Sequence, residues 1–282
     1  MLSALLIAAR EGLEAALIVG IVLGFLHKTE RRGHTSFAWL GVAVAVTASV
    51  ALALLMRFVG AELKTPYEQM FEGTTMLLAV AVLTWMLFWM RYQSRFLKVD
   101  LERKMQSAIS DGQNWGLFAI AFLAVFREGL ETALFLAANA FAADAASTLA
   151  GALLGLALAV AVGVLIYIYA VRIDIQLFFN VTSLFLIVFA AGLVAGGIHE
   201  FQEIGWLPIL TGVAWDTKWL LANDSALGSV LRSLVGYNDQ PSLLEVVSYL
   251  AYWIVILQAI RWWTQHLAVR LIRERASAQS NM

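Results

Sequence analysis

Apolar runs of roughly 20 residues, long enough to cross a hydrocarbon core about 30 Å thick, follow one another along most of this 282-residue chain. Inside a bilayer the backbone must satisfy its own hydrogen bonds, and runs of this length do so as helices. Hydrophobic residues make up 61% and charged residues 14% of the sequence, against about 45 to 50% and 25% for an ordinary soluble domain. Hydropathy predicts seven spans, at 2–27, 37–59, 70–90, 116–141, 148–171, 175–197 and 242–262. The first is a span and not a secretory leader, because Met1–Ala9 lacks a basic flank and Arg10, Glu11 and Glu14 break its apolar centre.

Lys and Arg are retained in the cytoplasm during insertion, so their distribution sets the orientation. Lys28, Arg31 and Arg32 follow the first span, Arg91, Arg95, Lys98, Arg103 and Lys104 the third, Arg172 the fifth, and Arg261, Arg270, Arg273 and Arg275 the seventh. The alternate loops hold Arg57, Lys64, Lys218 and Arg232, a bias of thirteen to four. The expected fold is an all-α integral membrane protein of seven transmembrane helices, N-terminus periplasmic and C-terminus cytoplasmic. A single permease domain would comprise repeat one (1–90), repeat two (116–197), an external segment (198–240), the seventh span and a cytoplasmic tail (263–282).

Composition also excludes whole classes of chemistry. There are no cysteines and only four histidines, which rules out thiolate zinc, iron–sulfur and disulfide frameworks. No phosphate-binding loop and no long basic block occurs, so neither ATP hydrolysis nor nucleic-acid binding is expected.

Two of the 19 basic residues, Arg10 and Arg127, lie inside spans. Arg10-Glu11-Gly12-Leu13-Glu14 recurs as Arg127-Glu128-Gly129-Leu130-Glu131, displaced by 117 residues. At 100° per residue the arginine and both glutamates fall within one wedge of a helix, with Gly and Leu turned away. Six charges at membrane depth cost on the order of 15 kcal/mol before pairing, at about 2.5 to 3.5 kcal/mol each. If each arginine merely neutralised its own carboxylates, four carboxylates against two guanidiniums would still leave two negative charges. A divalent cation cancels them. Carboxylate oxygen suits iron, manganese, calcium or magnesium better than soft copper(I), and no cofactor is called for. A carboxylate-bridged di-iron enzyme would bring Glu-x-x-His pairs, and none is present. The loop count makes the first and fourth spans run in opposite directions, so spans one to three and four to six form two inverted repeats, a plan of secondary transporters with the substrate site at the midplane.

The paired R-E-G-L-E strings, the run Phe71-Glu72-Gly73 leading to Leu83-Thr84-Trp85-Met86, and Phe88-Trp89-Met90 together resemble the oxidase-dependent iron permease family, closer to its bacterial branch than to its fungal one. The likeness covers nearly the whole chain. It implies iron import across the bacterial inner membrane, with Glu11, Glu14, Glu128 and Glu131 as metal residues beside Arg10 and Arg127. It also implies periplasmic partners, an EfeO-like iron-binding protein and an EfeB-like haem peroxidase. A lead-uptake branch shares the motif, so iron, as Fe²⁺ or Fe³⁺, stands as the expected cargo with manganese or lead as alternatives. A membrane-bound metal-dependent redox enzyme is the rival from another class.

Other residues invite weaker readings. Glu72, His199, Glu200 and Glu203 end their spans at the outer face, as an outer access site or as ordinary interfacial charges. Asp216, Asp224 and Asp239 give the external segment a mildly acidic surface, most simply a solvated one. Met86 and Met90 read as packing. Gly20/Gly24, Gly151/Gly155 and Gly192/Gly196 read as close-contact pairs within or between protomers, which leaves homo-oligomerisation open. Trp39, Trp85, Trp89, Trp115, Trp206, Trp253, Trp262 and Trp263 read as an aromatic belt in contact with membrane lipid. Asp174 reads as a helix cap, and with Asn180 as an exit-path candidate.

Overall fold

A computed structural model describes residues 1–29, 35–93, 101, 103, 105–106, 114–169, 175–223 and 225–280, with backbone alone at 90–93, 114, 166–169, 175–177, 226 and 264–280. The described helices are α1 (Leu2–Lys28), α2 (Thr35–Glu62), α3 (Tyr67–Gln93), α4 (Asn114–Ala142), α5 (Ala145–Tyr169), α6 (Ile175–Glu203), α7 (Ala226–Val235) and α8 (Leu243–Ser280). Among the described residues there is no β-strand, only an isolated bridge between Val213 and Ser242. Five helices carry stretches long and apolar enough to cross a membrane: α2, α3, α5, α6 and α8. The other two long helices, α1 and α4, carry three charges each near their centres.

The helices outrun the spans read from hydropathy. α6 continues to Glu203 and α8 to Ser280, because hydropathy finds the apolar stretch whereas a helix ends where its backbone is interrupted, and no Gly or Pro occurs between 261 and 280. The external segment is built as well as long. It holds α7, capped at its start by the Ser225 hydroxyl accepting from the Gly228 amide at 3.0 Å. α7 stops at Gly236, whose φ of 72° is the left-handed conformation that favours glycine. There the backbone of Gly236 meets Gly192 of α6 so closely that a side chain on either would clash, which clamps the external segment onto α6.

α1 packs most extensively on α5, α2 on α4, and α3 on α6, with α1 and α4 touching at the centre. Glycines set the closest approaches. A side chain at Gly151 would strike Met1 O and Ala4, one at Gly155 would come 2.8 Å from Ala9 N, and one at Gly12 would come 2.7 Å from Ala159 Cβ. Residue numbers rise together on both helices, so α1 and α5 are parallel. Likewise Gly41 faces Phe118 and Ala121, and Gly129 faces Ser49, so α2 and α4 are parallel. Gly73 lies against Glu200 and Phe201, and Gly196 against Met76, which makes α3 and α6 antiparallel. α5 follows α4 through a short turn at Asp144, whose carboxylate accepts from the Ser147 amide at 2.7 Å, a bond that holds it below the usual carboxylate range. α4 is therefore antiparallel to α5 and to α1. The pattern maps onto itself when α1–α3 are exchanged for α4–α6, and Gly41 and Gly151 meet Phe118/Ala121 and Met1/Ala4, partners displaced by the same 117 residues as the charged strings.

A hydrophobic cluster joins α1, α3, α4 and α6 through Ile7, Met76, Leu83, Phe135, Leu186 and Leu193. A second, built on Ile18, Val22, Leu26, Leu117 and Ala121, takes in Leu101 and Met105 from the segment after α3. The Gly20/Gly24 pair does not serve this packing, since nothing lies within 4 Å of where a side chain would begin. Gly155→Val should destabilise the bundle by about 1 to 3 kcal/mol through overpacking against α1, whereas Gly20→Val should change stability by less than about 0.5 kcal/mol. Thermal unfolding of the two purified variants in detergent checks this contrast.

Candidate metal site

The charged wedges read from the sequence face each other at the contact of α1 with α4. Gly12 and Gly129 bring α5 and α2 against the opposite faces, which turns Arg10, Glu11, Glu14 and Arg127, Glu128, Glu131 inward. Arg10 is 1% exposed and all four glutamates are buried. Arg10 Nη1 lies 2.6 Å from Glu11 Oε1, and Arg10 Nη2 lies 3.0 Å from Glu14 Oε1. Arg10 Nη1 also donates to Met86 Sδ at 3.6 Å, and the Phe179 ring centroid is 5.9 Å from the guanidinium carbon.

The second motif is arranged differently. Arg127 Nε donates to Glu131 Oε1 at 2.9 Å and stays 3.8 Å from Glu128 Oε1. Its side chain is 35% exposed, and its guanidinium carbon stacks 3.9 Å from the Trp89 ring centroid. Trp89 is thus a partner of the charge cluster, where its place near a span end had assigned it to the aromatic belt. Trp39, Trp85, Trp115, Trp206 and Trp262 are exposed as that belt requires. Trp253 is half-buried, and Trp263 lies tilted against Phe88 with ring centroids 5.6 Å apart. Met86 is buried, but against Arg10 as well as apolar neighbours. The side chain of Met90 lies outside the described residues.

One carboxylate oxygen from each of Glu11, Glu128 and Glu131 falls within 4.8 Å of the others. Glu14 is paired with Arg10. Glu11 Oε2, Glu128 Oε2 and Glu131 Oε2 are buried and accept no hydrogen bond among the described residues. A buried acceptor without a donor is costly, and three on carboxylates within one cluster form a set of hard oxygen donors suited to a cation. Two facing helices contribute to it, as the repeated string required.

At the end of the bundle where α6 meets α7 and the start of α8, a ≈320 Å³ cavity is lined by Gly192, Gly196, His199, Glu200, Arg232 and Glu245 among others. Both ring nitrogens of His199 face carboxylates, Nδ1 at 3.0 Å from Glu245 Oε1 and Nε2 at 3.3 Å from Glu203 Oε1. Glu72 is half-buried on α3 beside Gly73, which packs against Glu200 and Phe201 of α6. The four outer residues are therefore neighbours, but among the described residues they do not converge as the central glutamates do. Glu245 was missed from the sequence, where it reads as an ordinary acid in the first turn of α8. It is buried and also accepts from Asn238 Nδ2 at 3.0 Å and the Ser242 amide at 3.2 Å.

Asp239 does not belong to an acidic surface. It is buried and accepts from the Asn223 amide at 3.0 Å and Asn223 Nδ2 at 2.9 Å, because the loop returns on itself there. Asp216 is exposed, and bonds from Gln240 and the Lys218 amide hold it below the usual carboxylate range. Asn180 is exposed. Asp174, Asp224, Arg31, Arg32, Arg95, Lys98, Lys104 and Arg172 lie outside the described residues, as do the side chains of Arg91, Arg270, Arg273 and Arg275.

Glu245→Ala would leave the Asn238 amide group and the Ser242 N–H without their acceptor, at about 1 to 3 kcal/mol. The external segment should then open more readily, seen as faster hydrogen–deuterium exchange across 205–245 while exchange in α1 and α4 stays unchanged.

The comparisons with known proteins point the same way. The chain is 39% identical over 257 residues to the ferrous iron permease EfeU of Escherichia coli O157:H7 and of Shigella sonnei, covering 90% of this chain and 93% of theirs. It is 40% identical over 255 residues to the ferrous iron permease EfeU of Yersinia pestis, covering 89% of this chain and 90% of the relative. No solved structure matches. Residues 1–272 match the iron permease FTR1 family, and the chain belongs to that family.

Proposed function

We propose that this chain imports iron across the bacterial cytoplasmic membrane, passing the ion through a site formed by Glu11, Glu14, Glu128 and Glu131. Arg10 and Arg127 orient the carboxylates and limit the site's negative charge. The observation that carries this reading is the cluster itself: four buried carboxylates from two antiparallel helices, of which Glu11, Glu128 and Glu131 each keep an oxygen that accepts no hydrogen bond among the described residues. Membership of a permease family and the names of the relatives supply the class of cargo.

In this reading α1–α6 and α8 are the seven spans, with the N-terminus periplasmic and the C-terminus cytoplasmic, as the thirteen-to-four bias of Lys and Arg favours. The alternating helix directions and the self-mapping packing support two inverted repeats. Glu11 and Glu14 are the tenth and thirteenth of 27 residues in α1, and Glu128 and Glu131 the fifteenth and eighteenth of 29 in α4. That depth supports a midplane site of the kind inverted-repeat transporters use. The outer cavity beside His199 and Glu200 supplies the approach, with Glu72 and Glu203 adding negative charge at its edge. An iron-binding protein and a haem peroxidase in the periplasm fit as delivery partners.

Charge sets the chemistry. Four carboxylates and two guanidiniums sum to two negative charges, which one Fe²⁺ cancels. With an inside-negative potential of about 100 mV, inward movement of Fe²⁺ gains roughly 4.6 kcal/mol, so the chain needs no ATP. Reduced iron suits this charge count better than Fe³⁺, which would leave the occupied site positive in a low dielectric.

The test is radioactive iron uptake into liposomes holding the purified chain under an inside-negative potential, with and without ascorbate. Glu14→Ala and Glu131→Ala should each lower uptake on the order of a hundredfold or more, since each removes one of the four carboxylates whose oxygens and charge the cation needs. Ascorbate should raise wild-type uptake. Uptake retained in both variants would contradict the site, and manganese or lead carried in preference to iron would change the cargo.

A further inference from the structure

The two arginines of the repeated motif are not equivalent. Arg10 is buried and ties down two carboxylates, Glu11 at 2.6 Å and Glu14 at 3.0 Å. Arg127 grips one, Glu131, and only through Nε, with the face of its guanidinium 3.9 Å from the Trp89 ring. Glu131 is also one corner of the carboxylate triangle with Glu11 and Glu128. The oxygen that Arg127 holds is thus on a residue the cation needs.

Two requirements then conflict. Neutrality asks Arg127 to stay, because four carboxylates, two guanidiniums and one divalent cation sum to zero, and losing one guanidinium would leave a buried net charge. Ligation by both oxygens of Glu131 asks Arg127 to let go of Oε1, because Oε2 is already open and a lone pair shared with Nε–H is a poorer donor to a metal. An aromatic face beside the arginine meets both demands. It attracts a guanidinium through the ring quadrupole, keeps the positive charge within a few ångströms of the site, and takes no carboxylate oxygen in exchange. The Phe179 ring lies farther from Arg10, at 5.9 Å, and Arg10 Nη1 also meets Met86 Sδ.

We propose that Trp89 is a positioning residue for iron transport, the seat onto which Arg127 withdraws from Glu131 when the ion binds. Arg127 is then the displaceable counter-charge and Arg10 the fixed one. This rests on the reading of the glutamates as the ion's site and adds a residue outside the repeated string.

The test measures the concentration dependence of Fe²⁺ uptake, under ascorbate, by the full-length chain in liposomes. Trp89→Leu removes the π-face and should raise KM about tenfold with kcat within about twofold, because Arg127 then competes with the ion for Glu131. Trp89→Phe keeps a π-face and should stay within about threefold of wild type. A wild-type KM in Trp89→Leu would overturn the proposal, as would Trp89→Phe being as impaired as Trp89→Leu, or a loss confined to kcat. Thermal unfolding in detergent supplies a readout that does not depend on transport. The drop in Tm caused by Trp89→Leu should shrink to less than half in an Arg127→Gln background, and equal drops in the two backgrounds would overturn the pairing. A folded wild type that carries no iron would sink the proposed cargo, and the Tm comparison would then decide the role of Trp89 alone.

Discussion

Everything in this bundle is arranged around six charges that have no business in an apolar interior. Two guanidiniums and four carboxylates are buried or half-buried where α1 meets α4, and pairing removes only half of the negative charge. In a low dielectric the remainder is costly unless a cation or protons balance it. On the proposed reading the cluster is a site tuned to a positive guest, where two salt bridges that only hold helices together would leave two negative charges unbalanced. The two arginines keep the empty site tolerable, and the surplus of carboxylates makes it receptive.

The packing exists to hold that site at its depth. Gly12 and Gly129, inside the charged strings, let α5 and α2 close on the outer faces of α1 and α4. Any side chain there would push α5 off α1 or α2 off α4. The apolar cluster around Ile7, Leu83 and Phe135 fills the space around the glutamates with side chains that offer no competing donors. Met86 and Trp89, three residues apart and hence on neighbouring positions of one helical surface, each meet one arginine. α3 is thereby the third wall of the site, although it contributes no carboxylate to the cluster.

Much of this was legible in the chain. The all-helical build and the five long apolar helices among the described residues follow from hydropathy, and the crowding of each motif's three charges on one helix face follows from 100° per residue. The helix ends were not legible, because hydropathy reports the apolar stretch and is blind to helical turns beyond it, as at Glu203 and Ser280. Glu245 and Asp239 were out of reach for a different reason. Their burial depends on where a 40-residue excursion returns to the bundle, which periodicity does not encode, and the closing of Gly236 on Gly192 fixes that return. Trp89 was misread because a tryptophan near a span end has two apolar-looking fates, lipid or a buried cation, and only the fold places Arg127 beneath it. The difference between Arg10 and Arg127 is invisible in two identical strings and arises from their surroundings.

The central claim is that a cation occupies the space between the carboxylates of α1 and α4. Anomalous X-ray scattering at the iron edge, from crystals of the full chain grown with Fe²⁺ under ascorbate, tests it directly. The account predicts one peak within coordination distance of Glu11, Glu128 and Glu131, about 2.0 to 2.3 Å from their oxygens as for other hard divalent cations, and its loss in Glu131→Ala. A peak at the outer cavity alone, or none in a crystal whose glutamates are ordered, would contradict it.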